Sequence, residues 1–419
     1  MGQTISEKIL SANSHQKEVY CGDFVNTEID LAMSHDNTRL ILSIFDKIGV
    51  KSVWNSKKIV VVLDHRAPAN SIQTAMNHKY IRSFVKDQNI KNFFDVGLGI
   101  CHQILPENGF IRPGMLIVGS DSHSTTYGAF GCFSTGIGAT DMAAVWTDGK
   151  LWFKVPETLL FNISGNLSDY VFSKDVILHI IKKIGSDGAN YKSCEFYGEV
   201  IDSLSIDSRM CISNQAMEMG AKAAIIPADK KTISYVSKRT DKNFKVVKSD
   251  KDANFERVFD FDISDLEPQV ACPNNVENVK SVSDIEGVKI NQAVIGSCTN
   301  GRLEDLKVAS SILKDKKIAS DVRLIVVPAS NKVYLNAIKL GYIQTFIRAG
   351  ATIVNPGCGP CLGLHQGVLA DGEVAISSTN RNFKGRMGSS KSEVYLASPA
   401  TVASSALKGE IHDPRKVIL

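Results

Sequence analysis

No stretch of this 419-residue chain stays apolar for the roughly 18 residues that a membrane-spanning helix needs. No membrane association is expected. The N-terminus, MGQTISEKIL, soon turns polar and lacks a secretory pattern. It fits only the loose Met-Gly-x-x-x-Ser acylation motif, through Gly2 and Ser6, and reads instead as the start of a helix. A cytoplasmic protein is the expectation. Charge of one sign is also lacking. The 48 basic and 44 acidic residues leave a net charge of +4, too balanced for nucleic acid to be the main partner. Nor is there a basic run, or aromatics interleaved with charge, to suggest a binder of single strands. The nine cysteines are odd in number and scattered, which argues against a disulfide framework. Solenoid repeats and low-complexity segments are absent. What remains is ordinary globular composition, 43% hydrophobic and 22% charged, enough for two or three domains.

Short apolar runs alternate with helical stretches over much of the chain. KIVVVLDH, NFFDVGLGICH and GMLIVGSDSH read as strands, with a helix from about 71 to 88 after the first. A glycine-rich segment, YGAFGCFSTGIGATD, suits close backbone packing and leads into another helix. KVPETLLFNISGNLS looks like a new start, an edge strand or hairpin, followed by a helix near 169–184. Residues 230 to about 287 are polar and weakly patterned, and read as the end of a second domain with a connecting segment. INQAVIGS, VRLIVVPAS and ATIVNPGC then resume strand and helix alternation. The pattern implies α/β domains, each a mostly parallel sheet with helices on its faces. Three such domains are expected, at residues 1–155, 156–280 and 281–419.

Five of the apolar runs end in a residue able to do chemistry: His65, His102, His123, Cys298 and Cys358. In open parallel sheets, ligands bind outside the carboxyl ends of the strands. The histidines have acids nearby, Asp64 before His65 and Asp121 two before His123. Such pairs fix the tautomer and raise basicity, as general acid–base work requires. Singly, an Asp-His pair is more often local turn chemistry; the shared position at strand ends is what singles these out. The remaining histidines, at 15, 78, 179, 365 and 412, read as surface or structural.

The loop NPGCGPCLG sets Cys358 and Cys361 among glycines and a proline. A redox dithiol would normally open a helix in a thioredoxin-like unit, and this pair follows a strand. A four-cysteine zinc site wants a second pair, whereas GSCTNG offers only Cys298. Two buried thiols are another reading, which the glycine-rich surroundings disfavour. The remaining one is three thiolates on an iron–sulfur cluster, with one iron left open for substrate. In STNRNFKGRMGS, Arg381 and Arg386 are suited to gripping carboxylates, if the segment is not simply a basic surface loop.

Taken together, LDHRAP, GICHQ, GSDSHSTTYGAFG, IGSCTNGR, NPGCGPC and STNRNFKGR resemble the signature stretches of the aconitase superfamily, in the same order and across nearly the whole chain. The length and GKLWFKVPET point to the branch of large subunits that includes 3-isopropylmalate dehydratase and homoaconitase. The resemblance implies three α/β/α domains around a central [4Fe–4S] cluster held by Cys298, Cys358 and Cys361. It implies three acid–histidine pairs: Asp64 with His65, Asp121 with His102, and His123 with a glutamate placed at Glu195 in CEFYGE. Ser122, Asn380, Arg381 and Arg386 match substrate-contacting positions. The implied activity is that of a hydro-lyase on a malate-type di- or tricarboxylate: isopropylmalate, homocitrate, methylmalate or dimethylmalate. The superfamily's swivel domain has no place in this chain, so a separate small subunit is expected in a heterodimer or heterotetramer. Two other classes stand beside this reading: an RNA-binding relative that has lost its cluster, and a zinc-dependent hydrolase.

Overall fold

The computed structural model describes residues 2–417. Three sheets carry the architecture. The first has five parallel strands in the order Phe93–Phe94, Ile59–Val62, Leu31–Ser34, Leu116–Gly119 and Phe133–Gly136. The second has four parallel strands, Ala223–Ile225, Ser193–Tyr197, Thr158–Ser164 and Arg257–Asp262. The third has seven. Glu393–Ala397, Val374–Ser377, Gln292–Gly296, Arg323–Val327 and Thr352–Ile353 run parallel, and Gln269–Ala271 and Val279–Ser281 extend one edge in antiparallel fashion. A separate two-stranded antiparallel ribbon pairs Phe24–Glu28 with Lys150–Lys154. The central strands of the first and third sheets are buried on both faces, as strands covered by helices must be.

Several local expectations change. Thr158–Ser164 is an interior strand, not an edge or hairpin; its alternating burial comes from a sheet with one partly open face. The weakly patterned stretch after 230 holds a helix, Lys230–Ser237, and three short strands. Two of them, Gln269–Ala271 and Val279–Ser281, belong to the third sheet. Edge strands need no continuous apolar run, and Arg257–Asp262 is largely exposed. His102 is not at a strand end: only Phe93–Phe94 pairs, and His102 lies in the first turn of helix Cys101–Glu107. Gly2 bridges Ala253 and is buried, and Thr4 caps helix Ile5–Asn13 in a capping box with Glu7. That geometry opposes acylation at Gly2.

The cores show how the sheets meet. Side chains of the second and third sheets share one apolar cluster, joining Phe161 and Phe196 to Val294 and Val327. Another joins Met33, Val60 and Val62 of the first sheet to Cys298 and Cys358. Gly128 approaches the Ala224 carbonyl so closely that a Cβ there would collide with it. Among the described residues, no helix is long and apolar enough to cross a membrane.

Candidate active site

Two parallel strands of the first sheet, on either side of Leu31–Ser34, deliver the first residues. Ile59–Val62 ends two residues before Asp64, and Leu116–Gly119 two before Asp121. Asp64 is buried, and its Oδ1 lies 2.7 Å from His65 Nδ1 while its Oδ2 accepts from the Cys101 amide at 2.7 Å. Asp121 is shared by three histidines. Its Oδ1 lies 2.7 Å from His102 Nε2 and accepts from the His123 amide at 2.8 Å; its Oδ2 lies 3.5 Å from His65 Nε2. The other nitrogen of His102 faces the Tyr127 hydroxyl at 3.2 Å. Ser122 Oγ sits 3.5 Å from His123 Nδ1.

Burial works against charge on His65, but Asp64 and Asp121 outweigh it and hold its pKa well above the ordinary value. His123 is raised in the same way, burial being overcome by Asp121 and Glu218. For Asp121, burial would raise the carboxyl, yet His102, His123 and His65 hold it far below the usual carboxylate range. The pairing therefore favours the charged forms of His65, His123 and Asp121 against the cost of their burial.

His123 does not meet Glu195. That carboxylate accepts from the Ile5 amide at 2.8 Å, from Ser249 and from Tyr197, on the far side of the second sheet's strand Ser193–Tyr197. Burial pushes its pKa up. It is a packed structural acid tying the N-terminal helix to the sheet. The partner of His123 is Glu218, whose Oε1 lies 2.8 Å from His123 Nε2 and which also takes Arg381 Nε at 2.8 Å. Glu218 sits in a short 3-10 turn directly after helix Ile206–Gln215. No local pattern marked it: Ser213, Asn214 and Gln215 are polar as well, and Glu218 lies past the end of the helix.

The three cysteines arrive on two loops of the third sheet. Cys298 follows Gln292–Gly296, in a turn where Ser297 takes φ of 76°. Cys358 and Cys361 follow Thr352–Ile353. All three are buried. Arg302, fully buried, braces the first loop by donating to the carbonyls of Cys298 and Thr299, each at 2.6 Å. The second loop docks on the first sheet through the Cys358 amide, which donates to the Asp64 carbonyl at 2.8 Å. Gly357 has to be small there, since a Cβ would lie 3.0 Å from that carbonyl. Asn380 contacts both loops: its Oδ1 lies 3.7 Å from Cys298 Sγ and from Cys361 Sγ. Asn214 donates to Cys298 Sγ at 3.3 Å. Lys174, fully buried, secures the Asn380–Arg381 segment by donating to the Thr379 carbonyl at 2.6 Å.

Apart from Glu195, and from Asp64 just behind His65, the expected residues line one pocket. Its donor set suits a cluster better than a single ion. Thiolates on one zinc sit about 2.3 Å from it, hence about 4 Å from each other. Among the described residues, the only set of three or more possible ligands with all atoms within 4.8 Å is His35, Asp36, Asp64 and His65, and those atoms already bond to one another and to backbone amides. The three sulfurs do not all lie within 4.8 Å of one another, which fits anchors on separate irons better than ligands of one ion. Burial raises the thiols of Cys298 and Cys358. For Cys361, burial is outweighed by the Arg386 guanidinium, 3.7 Å away, which lowers it. Arg386 Nε is buried without a partner.

The sequence profile of the Aconitase family (aconitate hydratase) matches residues 7–409. The chain belongs to the Aconitase family. It is 52% identical over 415 residues to the probable 3-isopropylmalate dehydratase large subunit of Methanothermobacter thermautotrophicus, covering 99% of each chain. It is also 52% identical over 417 residues to the probable methanogen homoaconitase large subunit of the same organism, covering 98% of this chain and 97% of that one. The 3-isopropylmalate dehydratase large subunit of Moorella thermoacetica is 49% identical over the full length of both. Within the Aconitase family, identity therefore does not separate the two named substrate types.

Proposed function

We propose that this chain is the cluster-bearing large subunit of a hydro-lyase. The reaction moves a hydroxyl between adjacent carbons of a malate-type diacid by dehydration and rehydration. The interconversion of 2- and 3-isopropylmalate, as in leucine biosynthesis, is the first candidate. Homoaconitase or methylmalate-type activity is the alternative, since relatives of both named kinds match equally well. The observation that carries the reading is the convergence of three buried thiols, three carboxylate-bound histidines and two arginines on one pocket.

Cys298, Cys358 and Cys361 would hold a [4Fe–4S] cluster, which supplies Lewis acidity toward a hydroxyl when bound. The chain's own residues handle protons and charge. His65 keeps Nδ1 on Asp64, leaving Nε2 with only a long contact to Asp121, so that proton is available to a departing hydroxyl. His102 and His123 are locked by Asp121 and Glu218 and stabilise negative charge that develops in the pocket. Arg381 commits only Nε to Glu218, which leaves its terminal nitrogens for a substrate carboxylate. Arg386 offers a second grip. A cleft of about 720 Å³ shares His65 and Leu362 with the pocket and gives a small organic acid a way in.

The base for the carbon-bound proton would come from a small subunit, as the name "large subunit" borne by the relatives supports. Such an assembly would work in the cytoplasm. The test is anaerobic reconstitution with a co-expressed small subunit, followed by iron and sulfide analysis and assays on 2-isopropylmalate, homocitrate and 2-methylmalate. About four irons and four sulfides per chain and turnover of one diacid are expected. Full activity in Cys358→Ser would overturn the reading.

A further inference from the structure

Leu31–Ser34 lies between Ile59–Val62 and Leu116–Gly119 in the first sheet. Its carboxyl end therefore opens beside the two strand ends that carry Asp64–His65 and Asp121–His123. It too is followed by a histidine and an aspartate, His35 and Asp36, to which the chemistry above gives no part.

Asp36 gathers a whole turn of backbone. Its Oδ2 accepts from the amides of Asp64 at 2.9 Å and His65 at 2.8 Å. Its Oδ1 accepts from the Arg66 amide at 3.1 Å and from His78 Nε2 at 2.8 Å. Three consecutive amides pointing at one oxygen pair form an anion nest, here filled by a side chain of the protein itself. His78 is 2% exposed and anchors the carboxylate to helix Ile72–Asp87. His35 completes the frame. Its ring stacks on that of His65 with centroids 3.8 Å apart and planes 18° apart, and its Nε2 faces the Ser120 carbonyl at 3.2 Å. The His65 ring is thus held at Nδ1 by Asp64, on one face by His35, and through its backbone by Asp36.

We propose that Asp36, anchored by His78, is a positioning residue for His65. It sets the Asp64–Arg66 backbone so that the His65 ring faces the cysteine-lined pocket, and with His78 it forms a further acid–histidine pair that acts on the protein instead of on the substrate. The kinetic consequence rests on the hydro-lyase reading; the geometric core does not.

The test uses Asp36→Asn, which keeps the shape but replaces one acceptor oxygen with a donor aimed at amides. Two measurements separate the two readings: steady-state kinetics of the reconstituted complex, and the imidazole nitrogen resonances of His65 in the chain labelled with 15N-histidine, assigned by their loss in His65→Asn. In Asp36→Asn, kcat falls about 10- to 100-fold, the range for losing a carboxylate that orients a working group. KM changes by less than about threefold, since substrate contacts remain. The His65 resonances move while those of His102 and His123 stay. Iron and sulfide per chain are unchanged. In a His65→Asn background the substitution has no further effect on kcat, because there is no longer a ring to orient.

Unmoved His65 resonances would overturn the proposal. So would a kcat loss that adds in full to that of His65→Asn, which would make Asp36 a general stabiliser of the fold. If Asp36→Asn does not fold, His78→Gln removes only the anchor and should shift the same resonances with a smaller loss of kcat; no shift overturns the proposal. A wild-type complex inactive on every diacid would sink the hydro-lyase reading, while the resonances would still decide the role of Asp36.

Discussion

Nε2 of His123 lies 2.8 Å from Oε1 of Glu218, 95 residues further along the chain. The pair joins the first sheet to the helical layer of the second, and Arg381 from the third sheet's side closes on the same carboxylate at 2.8 Å. Charge attracts these elements to one point, with Glu218 held below its ordinary value: burial opposes, and His123 and Arg381 outweigh it.

Glu218→Gln and Glu195→Gln should therefore diverge. Losing the charge at 218 loosens both His123 and Arg381, and kcat should fall by about 10² or more, the scale of an acid–base group. Glu195→Gln leaves activity near wild type, because that side chain bonds only Ile5, Ser249 and Tyr197. Its cost appears as stability, about 1–3 kcal/mol for a disturbed buried acceptor. Steady-state rates and urea midpoints measured on both variants check the divergence.

The pH dependence of stability in the iron-free chain has two limbs. His65 has a raised folded pKa, so its contribution is complete below the unfolded value of about 6.5 and is lost as pH climbs through the folded value. Asp121 is depressed, so its contribution is complete above about 3.9 and is lost as pH falls through its folded value. His65→Asn should flatten the alkaline limb and Asp121→Asn the acid limb. Unfolding midpoints across pH, taken on each variant, test the assignment.

Arg386→Lys keeps the charge but loses the planar fork. The buried guanidinium sits beside Cys361 Sγ and faces the pocket. A diacid held by two arginines should show KM raised about tenfold, or about 1.4 kcal/mol, with a smaller change in kcat. Kinetics on the diacid that the wild type turns over provide the measurement.

Lys174→Met should leave the carbonyls of Ser378 and Thr379 without their donor. The expected loss is about 1–3 kcal/mol, and the Asn380–Arg381 segment should loosen with it. Urea unfolding gives the first, and a rise in the KM for substrate the second.

Parts of this site were plain in the chain itself. His65, Asp121, His123 and Cys298 follow closely after continuous apolar strands, and the spacing of Cys358 and Cys361 among glycines limited what they might hold. LAMSHD, by contrast, passed unnoticed as a strand end, because its apolar run is only three residues, Leu31 to Met33, too few to stand out. His78 read as surface or structural and proved buried against Asp36. Glu195 was placed opposite His123 from the family resemblance of CEFYGE, a segment with little distinctive around it, and Glu218 was not singled out. Nothing local tells a buried acid that binds backbone and hydroxyls from one that faces an imidazole.

The order of strands and helices, the parallel α/β class and the chemistry of the thiols, histidines and arginines were set by the sequence, because periodicity, turn residues and side-chain type are local properties. Which acid meets His123, and which acid holds the backbone of His65, was decided only by the tertiary structure. His65 gains its pocket-facing posture from Asp36, and His123 its partner from Glu218, across breaks of 29 and 95 residues. Sheet order and the docking of three sheets choose those neighbours, and a carboxylate acts on an imidazole only through a distance of a few ångströms that no spacing along the chain records.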